Sequence, residues 1–303
     1  MRRKFFLFIS FVFLLQTLIG QNDSLKLTDY KKRKIILASS TGLLTLGSLV
    51  YLNQAWYSEY STGKFHFFND NKEWLQMDKA GHAFTTYQMS RLMMSTFEWA
   101  GYSKKQTLVV GGGIGFVYMT AIECMDGFSR GWGYSWGDQV ADAIGSGIAI
   151  AQAATWKEQR IQIKFSYAQS GLAKYNPSLL GKNNYTQILK DYNAQTYWLS
   201  INPSSFIKRK TKFPRWLSVS LGYSAYGMLG GDYNAIVAVD NAGNVLKFER
   251  ERRAYLSLDV DLTRIKTKSK FLKSVFSVVN MLKFPAPSLQ FSKKGLRFYP
   301  VYY

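Results

Sequence analysis

Apolar and polar positions divide the chain into a first half with helical spacing and a second half with alternating spacing. Residues 35–53 are apolar over about the ~20 residues that a helix needs to cross a bilayer. Apolar and small residues recur once per helical turn at 78–100, 107–124 and 135–154. The first half is therefore predicted to be a bundle of helices.

Two glycines in this half are spaced like those at close helix contacts. Gly111 and Gly115 lie four residues apart and so share one face of the predicted helix. Small residues at this spacing let two helix backbones approach closely. No Gly-Lys-Ser/Thr follows them in the sequence, so close packing is favoured over a phosphate-binding loop.

The second half alternates apolar and polar residues at 161–167, 217–223 and 253–262. This period of two favours antiparallel strands with one face buried. Residues 271–282 return to helical spacing beside several lysines, which predicts a basic amphipathic helix that lies at a membrane surface or packs on the sheet. The predicted fold class is α+β: an N-terminal helical bundle followed by an antiparallel strand-rich C-terminal region with one amphipathic helix.

The same patterns give the predicted domains. Residues 1–20 form a signal peptide, 28–155 a helical domain and 156–303 a basic, strand-rich region. The aromatic tail at 297–303 resembles the last strand of an outer-membrane barrel. About five strand signals are fewer than the ~8 strands of the smallest membrane barrels, so a barrel is the less favoured alternative.

The first twenty residues have the layout of a secretory signal peptide. Arg2, Arg3 and Lys4 precede an apolar run that ends at the small residue Gly20. The mature chain is then predicted to begin near Gln21. The alternative is an uncleaved membrane anchor.

The single cysteine limits the chemistry of the chain. Cys124 has no second cysteine to pair with, which excludes an internal disulfide and a cysteine-built metal cluster. The cleavage region also lacks a cysteine, which excludes lipid attachment there. The sequence therefore indicates an exported cell-envelope protein, in the periplasm or at the outer membrane.

Positive charge is concentrated in the second half of a chain whose formal net charge is +20. Residues 1–155 hold 15 basic and 11 acidic residues, whereas residues 156–303 hold 24 basic and 8 acidic residues. The densest basic clusters are 208–210, 252–253 and 264–270. Such clusters suit polyanions, and the export signal favours an anionic lipid or glycolipid over nucleic acid. A solvated basic face is the alternative.

Few polar residues interrupt the helical half, and most of them are acidic. The candidate catalytic cluster consists of His82, Glu123 and Asp138, with Asp78, Asp126 and Asp142 beside them. Carboxylates in a helical core need a proton, a cation or a base to neutralise them. A divalent cation is the cofactor that such oxygen ligands favour, and His82 is the residue suited to act as acid or base.

These residues also have purely structural explanations. Asp78 is a suitable helix cap, and Ser135 with Asp138 matches a capping box. Asp126 suits a tight turn, and His82 suits a hydrogen-bonded core position. No spacing among them is a diagnostic metal or triad motif, so both explanations stay open.

Three motifs in order resemble a known family. They are Asp78-Lys79-Ala80-Gly81-His82, Glu123-Cys124-Met125-Asp126-Gly127 and the run from Ser135 to Gly145. Together they resemble the YfiM-like family of predicted periplasmic lipoproteins, a domain of unknown function, over roughly residues 50–155. The resemblance implies an envelope location and a helical architecture, and it supplies no reaction.

The chain is also similar, more weakly, to VanZ-like membrane proteins. Their third motif has an asparagine where Asp142 stands here. The lipoprotein cysteine is missing from this sequence too, so lipid anchoring is not implied.

Two functions of different classes follow. The favoured one is a non-enzymatic, membrane-associated envelope protein with a structural or lipid-interaction role, because of the signal peptide and the basic second half. The alternative is a metal-assisted hydrolase acting on a lipid head group or another phosphorylated envelope component, because perturbed acids gather at functional sites. The sequence shows no nucleophile and leaves open whether the protein is an enzyme.

Overall fold

A computed structural model describes residues 27–53, 62–207, 213–235, 238–239 and 242–302. The predicted signal peptide and the basic cluster 208–210 lie outside these residues. Within them, helices come first and an antiparallel sheet follows, which confirms the predicted α+β class.

The four predicted helical segments of the first half all form helices. The helices are α1 (Leu27–Leu52), α2 (Met77–Trp99), α3 (Lys104–Gly127), α4 (Trp136–Thr155), α5 (Pro177–Leu180), α6 (Asn184–Lys190) and α7 (Lys270–Val279). The strands are β1 (Ile161–Tyr167), β2 (Gln195–Ile201), β3 (Leu217–Tyr226), β4 (Ala238–Val239), β5 (Val245–Leu246), β6 (Glu251–Val260), β7 (Ala286–Ser292) and β8 (Gly295–Tyr302). Helix α3 includes a π-type stretch at Thr107–Gly111.

The chain forms two compact units, each made of separate segments. The helical unit takes its described residues from Met1–Phe68, Thr85–Gln159 and Ile265–Asn280, and the sheet unit from Asn69–Phe84, Arg160–Arg264 and Met281–Tyr303. Helix α7 thus groups with the helices, and the first two turns of α2 group with the strands. The domain boundary at 155/156 rests on composition alone and stays a prediction.

Glycines let α2 and α3 pack closely in the helical unit. A Cβ at Gly115 would lie 2.8 Å from the Thr86 carbonyl oxygen and 3.0 Å from Ser90 Oγ. A Cβ at Gly111 would lie 3.3 Å from the Cα of Met94. Both glycines face α2, which confirms the predicted close helix contact.

Helices α2 and α4 run side by side in the same direction. Ser90 Oγ donates a hydrogen bond to Ser146 Oγ at 3.0 Å. One turn further along each helix, Met94 and Ile150 both lie beside Gly112, where a Cβ would come within 3.4 Å of each of them. Because the contacts advance in the same sense along both helices, α2 and α4 are parallel.

One end of the helical unit gathers basic and aromatic side chains. The Arg33 guanidinium donates to the Trp99 carbonyl at 2.9 Å and lies 5.2 Å from the centre of the Trp99 ring. The Tyr30 ring lies 5.5 Å from the same guanidinium. Lys34 Nζ lies 4.6 Å from the centre of the Tyr102 ring. The start of α1 is therefore anchored on the end of α2 and on the loop between α2 and α3.

Much of the apolar surface of α1 and α3 is exposed. Leu43 and Leu46 on α1 are 66% and 65% exposed, and Val117 on α3 is 67% exposed. The segments Asp29–Leu52 and Lys104–Gly127 are long and apolar enough to cross a membrane, and only 6% and 28% of their most apolar stretches are buried.

Helix α7 confirms the predicted amphipathic helix. Ser269 caps it by accepting a hydrogen bond from the Leu272 N–H at 3.3 Å. Arg91 of α2 donates to the Ser277 hydroxyl and carbonyl oxygens at 3.0 and 2.8 Å. Phe271, in the first turn, is 48% exposed. The helix thus lies on the surface of the helical unit with apolar side chains uncovered.

Six strands of the sheet unit form one antiparallel sheet in the order β1-β2-β3-β6-β7-β8, and β4 pairs with β5 in a separate ribbon. Leu199 of β2 lies opposite Ile163 of β1 and Leu221 of β3. Leu256 of β6 lies opposite Leu221 on its other side. Side chains at such paired positions share one face of the sheet.

The two faces of this sheet have opposite polarity to those of a water-soluble sheet. The inner face is buried and consists of Gln162, Lys164, Ser166, Trp198, Ser200, Ser218, Ser220, Ser224, Tyr255, Ser257, Asp259, Ser288 and Gln290. The outer face includes a set of partly or largely exposed apolar residues: Ile161, Ile163, Leu199, Ile201, Val219, Leu221, Leu256, Leu258, Leu289, Phe291, Leu296 and Phe298. The sequence pattern predicts one buried face; the buried face is the polar one, which reverses the usual arrangement.

A hydrogen-bonded ion pair occupies the inner face. Lys164 Nζ lies 2.8 Å from Asp259 Oδ2, and both side chains are fully buried. Ser200 Oγ donates to the same carboxylate at 2.7 Å, and the Phe284 N–H donates to its other oxygen at 2.9 Å. Burial lowers the pKa of Lys283 to about 8, although the Asp259 carboxylate acts in the opposite direction. A satisfied polar network therefore fills this side of the sheet.

Candidate functional site

Asp78 and His82 occupy the first two turns of α2. A carboxylate oxygen of Asp78 and a ring nitrogen of His82 lie within 4.8 Å of each other. Asp78 is the second residue of the helix and does not precede it, so the capping explanation fails for this residue. The separation suits two ligands of one small cation or an acid–base pair.

Three residues with left-handed backbone precede α2. Trp74, Leu75 and Gln76 have φ angles of 48°, 51° and 63°, which non-glycine residues adopt only at an energetic cost. The Tyr223 hydroxyl donates to the Leu75 carbonyl, and Arg252 donates to the Gln76 side chain at 2.5 Å. Side chains of the sheet thus hold the strained turn from which α2 starts.

Two tyrosines of the sheet unit surround the Asp78 carboxylate. The Tyr192 hydroxyl donates to it directly. The Tyr197 hydroxyl donates to Gln195 at 2.7 Å and lies against Gly81, where a Cβ would come within 2.9 Å of it.

Further acidic residues lie close to Asp78. Burial raises the pKa of Glu73, and the carboxylates of Asp232, Asp70 and Asp78 raise it further. Lys79 compensates part of this charge through an ion pair of 2.7 Å with Asp70. A bound cation would lower the remaining repulsion among these groups.

In the helical unit, Ser135 brings Glu123 and Asp138 together. The Ser135 N–H donates to Glu123 Oε2 at 2.9 Å, and Ser135 Oγ accepts from the Asp138 N–H at 3.2 Å. Glu123 and Asp138 are 1% and 3% exposed. The predicted capping by Ser135 is confirmed, and it joins the end of α3 to the start of α4.

The other two acidic residues of the predicted cluster lie on the same two helices. Asp142 is one turn beyond Asp138 on α4 and is fully buried. Asp126 is half-buried in the last turn of α3, and its carbonyl accepts a hydrogen bond from the Ser129 N–H at 2.9 Å, so it begins the turn that follows the helix, in agreement with the tight-turn explanation. A Cβ at Gly127 would lie 2.3 Å from the Phe65 ring, which explains why a glycine fits there.

The structure thus joins Asp78 to His82 in one unit and Glu123 to Asp138 in the other. Sequence reasoning missed Tyr192, Tyr197 and the left-handed turn. Tyr192 lies 114 residues from Asp78 along the chain, and no sequence pattern connects the two. Contacts of this range depend on the tertiary fold.

The fold and these residues define an α+β protein with buried acidic residues and a histidine on its helices. Residues 66–154 match the family model described as Predicted periplasmic lipoprotein (DUF2279). The matched segment contains all six predicted site residues, it confirms the resemblance drawn from the three motifs, and it supports a place in the cell envelope. Comparisons with curated proteins and with solved structures gave no match.

Proposed function

We propose that the protein is an exported, membrane-associated envelope protein whose helical unit is embedded in a lipid bilayer. The supporting observation is the exposed apolar surface of α1 and α3, which includes Leu43, Leu46 and Val117. Helices of a water-soluble bundle turn such side chains toward the core. In a bilayer the same side chains contact hydrocarbon at no cost.

Aromatic side chains bound this apolar surface at both ends. Trp99 and Tyr102 lie at the basic end, next to Lys104 at the start of α3. Tyr134 and Trp136 pack edge to face at the start of α4, with ring centres 5.4 Å apart. Tryptophan and tyrosine favour membrane interfaces, and lysines there attract anionic head groups.

Helix α7 supports an anionic lipid or glycolipid as the partner. It presents Lys270 and Lys273 together with the exposed apolar residues Phe271 and Leu272. A helix with this composition lies in the head-group region with its apolar side chains in the acyl boundary. Salt is expected to weaken the electrostatic part of the contact.

Cysteine accessibility tests the embedding of the helices. In a Cys124→Ser background, Leu46→Cys and Val117→Cys in intact membranes are expected to resist a water-soluble maleimide, because the reagent needs water at the thiol. Lys32→Cys and Lys104→Cys, exposed positions on the same two helices, are the matched controls and are expected to react. Labelling of each variant in denaturing detergent gives the maximum extent of maleimide reaction for that cysteine. Reaction of Leu46→Cys and Val117→Cys at the rate of their controls would refute the embedding.

A second candidate function is a metal-assisted hydrolase acting on a lipid head group or another phosphorylated envelope component. The separation of Asp78 and His82 and the nearby excess of carboxylates favour it. We propose that Asp138 is a third ligand, with Glu123 close by.

Titration of the purified full chain with Mn²⁺ tests this second function. His82→Ala and Asp138→Asn are each expected to weaken binding at least about tenfold, since even residues that only orient ligands contribute this much. Glu249→Gln, which removes an exposed carboxylate far along the chain, is the control and should bind like the unmodified protein. Equal affinity of all four proteins would rule out the proposed ligands.

A further inference from the structure

Away from the start of α2, which packs against Tyr197 and Ala225, the outer face of the sheet is an uncovered apolar surface on a sheet whose interior is polar. Leu221, Leu258, Leu296 and Phe298 are 52%, 46%, 65% and 60% exposed. Among the outer-face positions of these six strands, the charged one is Arg252 at the start of β6, where its guanidinium binds the Gln76 side chain. The side chains between them in sequence point to the inner face, where Lys164 and its partners are buried.

We propose that the outer face contacts the acyl chains of a lipid bilayer. Transmembrane strands alternate apolar outward and polar inward, and the six strands of this sheet do so, apart from the outward-facing Gln195 and Arg252 at the ends of β2 and β6. In water the two faces would have the opposite preference. A protein partner would explain why the outer face is apolar. It would not explain why the inner face, which is buried within the protein, consists largely of serine, glutamine and an ion pair.

The lengths of the central strands match the thickness of a lipid bilayer. Strands β3 and β6 each contain 10 residues, and a tilted strand crosses the hydrocarbon with about 9–11 residues. The two strands pair over their whole length, from Leu217 opposite Val260 to Tyr226 opposite Glu251. The centre of the sheet is thus long enough to follow the bilayer thickness.

Hydrogen bonding at the sheet edge also suits a medium without water. Backbone groups in hydrocarbon must be satisfied within the protein. The Phe165 N–H of β1 donates to the Met281 carbonyl at 2.9 Å, and the Phe165 carbonyl accepts from the Lys283 N–H at 2.8 Å. The Lys164–Asp259 pair joins β1 to β6 across the inner face, so the sheet curls around its polar side.

Basic and aromatic residues lie where one end of this apolar surface stops. Arg160 precedes β1 and Arg215 precedes β3, and Asn202 binds the backbone of both, with distances of 3.0 and 2.7 Å to their carbonyl oxygens. The Arg160 guanidinium lies 5.5 Å from the centre of the Phe206 ring, and Trp216 is 42% exposed. Arginine beside aromatic rings is the composition expected at the level of anionic head groups.

This inference concerns the sheet unit and goes beyond the function proposed above, which rests on the helical unit. Its test uses the full chain in a Cys124→Ser background, reconstituted in vesicles of phosphatidylethanolamine and phosphatidylglycerol. Bimane is attached to Leu221→Cys, Leu258→Cys or Leu296→Cys, and to Lys294→Cys in the exposed β7–β8 turn as the control. Circular dichroism confirms that each labelled protein is folded.

Lipids with nitroxides on their acyl chains are expected to quench the three outer-face labels and leave the Lys294→Cys label unchanged, whereas aqueous iodide should do the reverse. Iodide quenching of the outer-face labels to the extent seen at Lys294→Cys would overturn the proposal. Protection of the outer-face labels from both quenchers, together with crosslinking of Leu221→Cys between two chains, would overturn the proposal. That result would indicate that a second copy of the chain covers the outer face. Accessibility at Leu46 and Val117 is measured separately, so the failure of one proposal is distinguishable from the failure of the other.

Discussion

Asp259→Ala is expected to lower the free energy of unfolding by about 3–5 kcal/mol, because it leaves a buried ammonium group without its counter-charge. Lys164 and Asp259 are fully buried and 2.8 Å apart. The same carboxylate also binds the Ser200 hydroxyl and the Phe284 N–H, so its loss breaks contacts to three parts of the sheet unit. Denaturant unfolding of the full chain in detergent micelles measures the change.

Two further variants separate the buried charge from a general packing defect. Lys164→Met with Asp259→Ala removes both charges, so the double variant should lose less stability than the two single losses added together. Asp70→Ala breaks the partly exposed pair with Lys79 and is expected to cost within about 1 kcal/mol. Additive losses at Lys164 and Asp259 would contradict a coupled buried network.

The local elements follow closely from the sequence because their causes are local. Helical and alternating periods predict α1–α4, α7, β1, β3 and β6, whereas β2 and β7 lie outside the predicted alternating segments. Ser135 and Ser269 cap the helices that follow them. Capping depends on one side chain and a backbone N–H three residues later, so it can be read directly from the chain. The close contact at Gly115 follows from spacing in the same way.

The polarity of the sheet could not be predicted, although its alternation could. Alternation of polar and apolar residues shows that a strand has two different faces, but it does not show which face meets the surroundings. That choice depends on the medium, since water and hydrocarbon favour opposite faces. Lys164 and Asp259 gave the available signal: charges of opposite sign within alternating strands, which pair inside a curled sheet.

The candidate site was predictable only in part. The spacing of Asp78 and His82 gives their common face, because a single helix sets it. The contact of Tyr192 with Asp78 and the left-handed turn at Trp74 depend on the sheet, which is formed by residues more than a hundred positions away. The sequence likewise gives no indication that Ser135 would bind Glu123 in addition to capping α4.

The contact between α2 and α3 gives the second large expected effect. Gly115→Leu is expected to destabilise the helical unit by about 1–3 kcal/mol or more, in the range of overpacked cores. A Cβ at this position would already lie 2.8 Å from the Thr86 carbonyl oxygen and 3.0 Å from Ser90 Oγ. The backbone carbonyl cannot rotate away as a side chain can, so α3 has to move as a whole.

Gly113→Leu is the matched control, on the same helix two residues away. A Cβ at Gly113 meets nothing within 4 Å, so the added side chain has room. Leucine is also a better helix former than glycine by about 1 kcal/mol, and this variant should therefore be neutral or slightly more stable. Thermal unfolding of both variants in the same detergent compares them. Equal destabilisation of the two would show that glycine flexibility, and not the close approach of α2, determines the preference at Gly115.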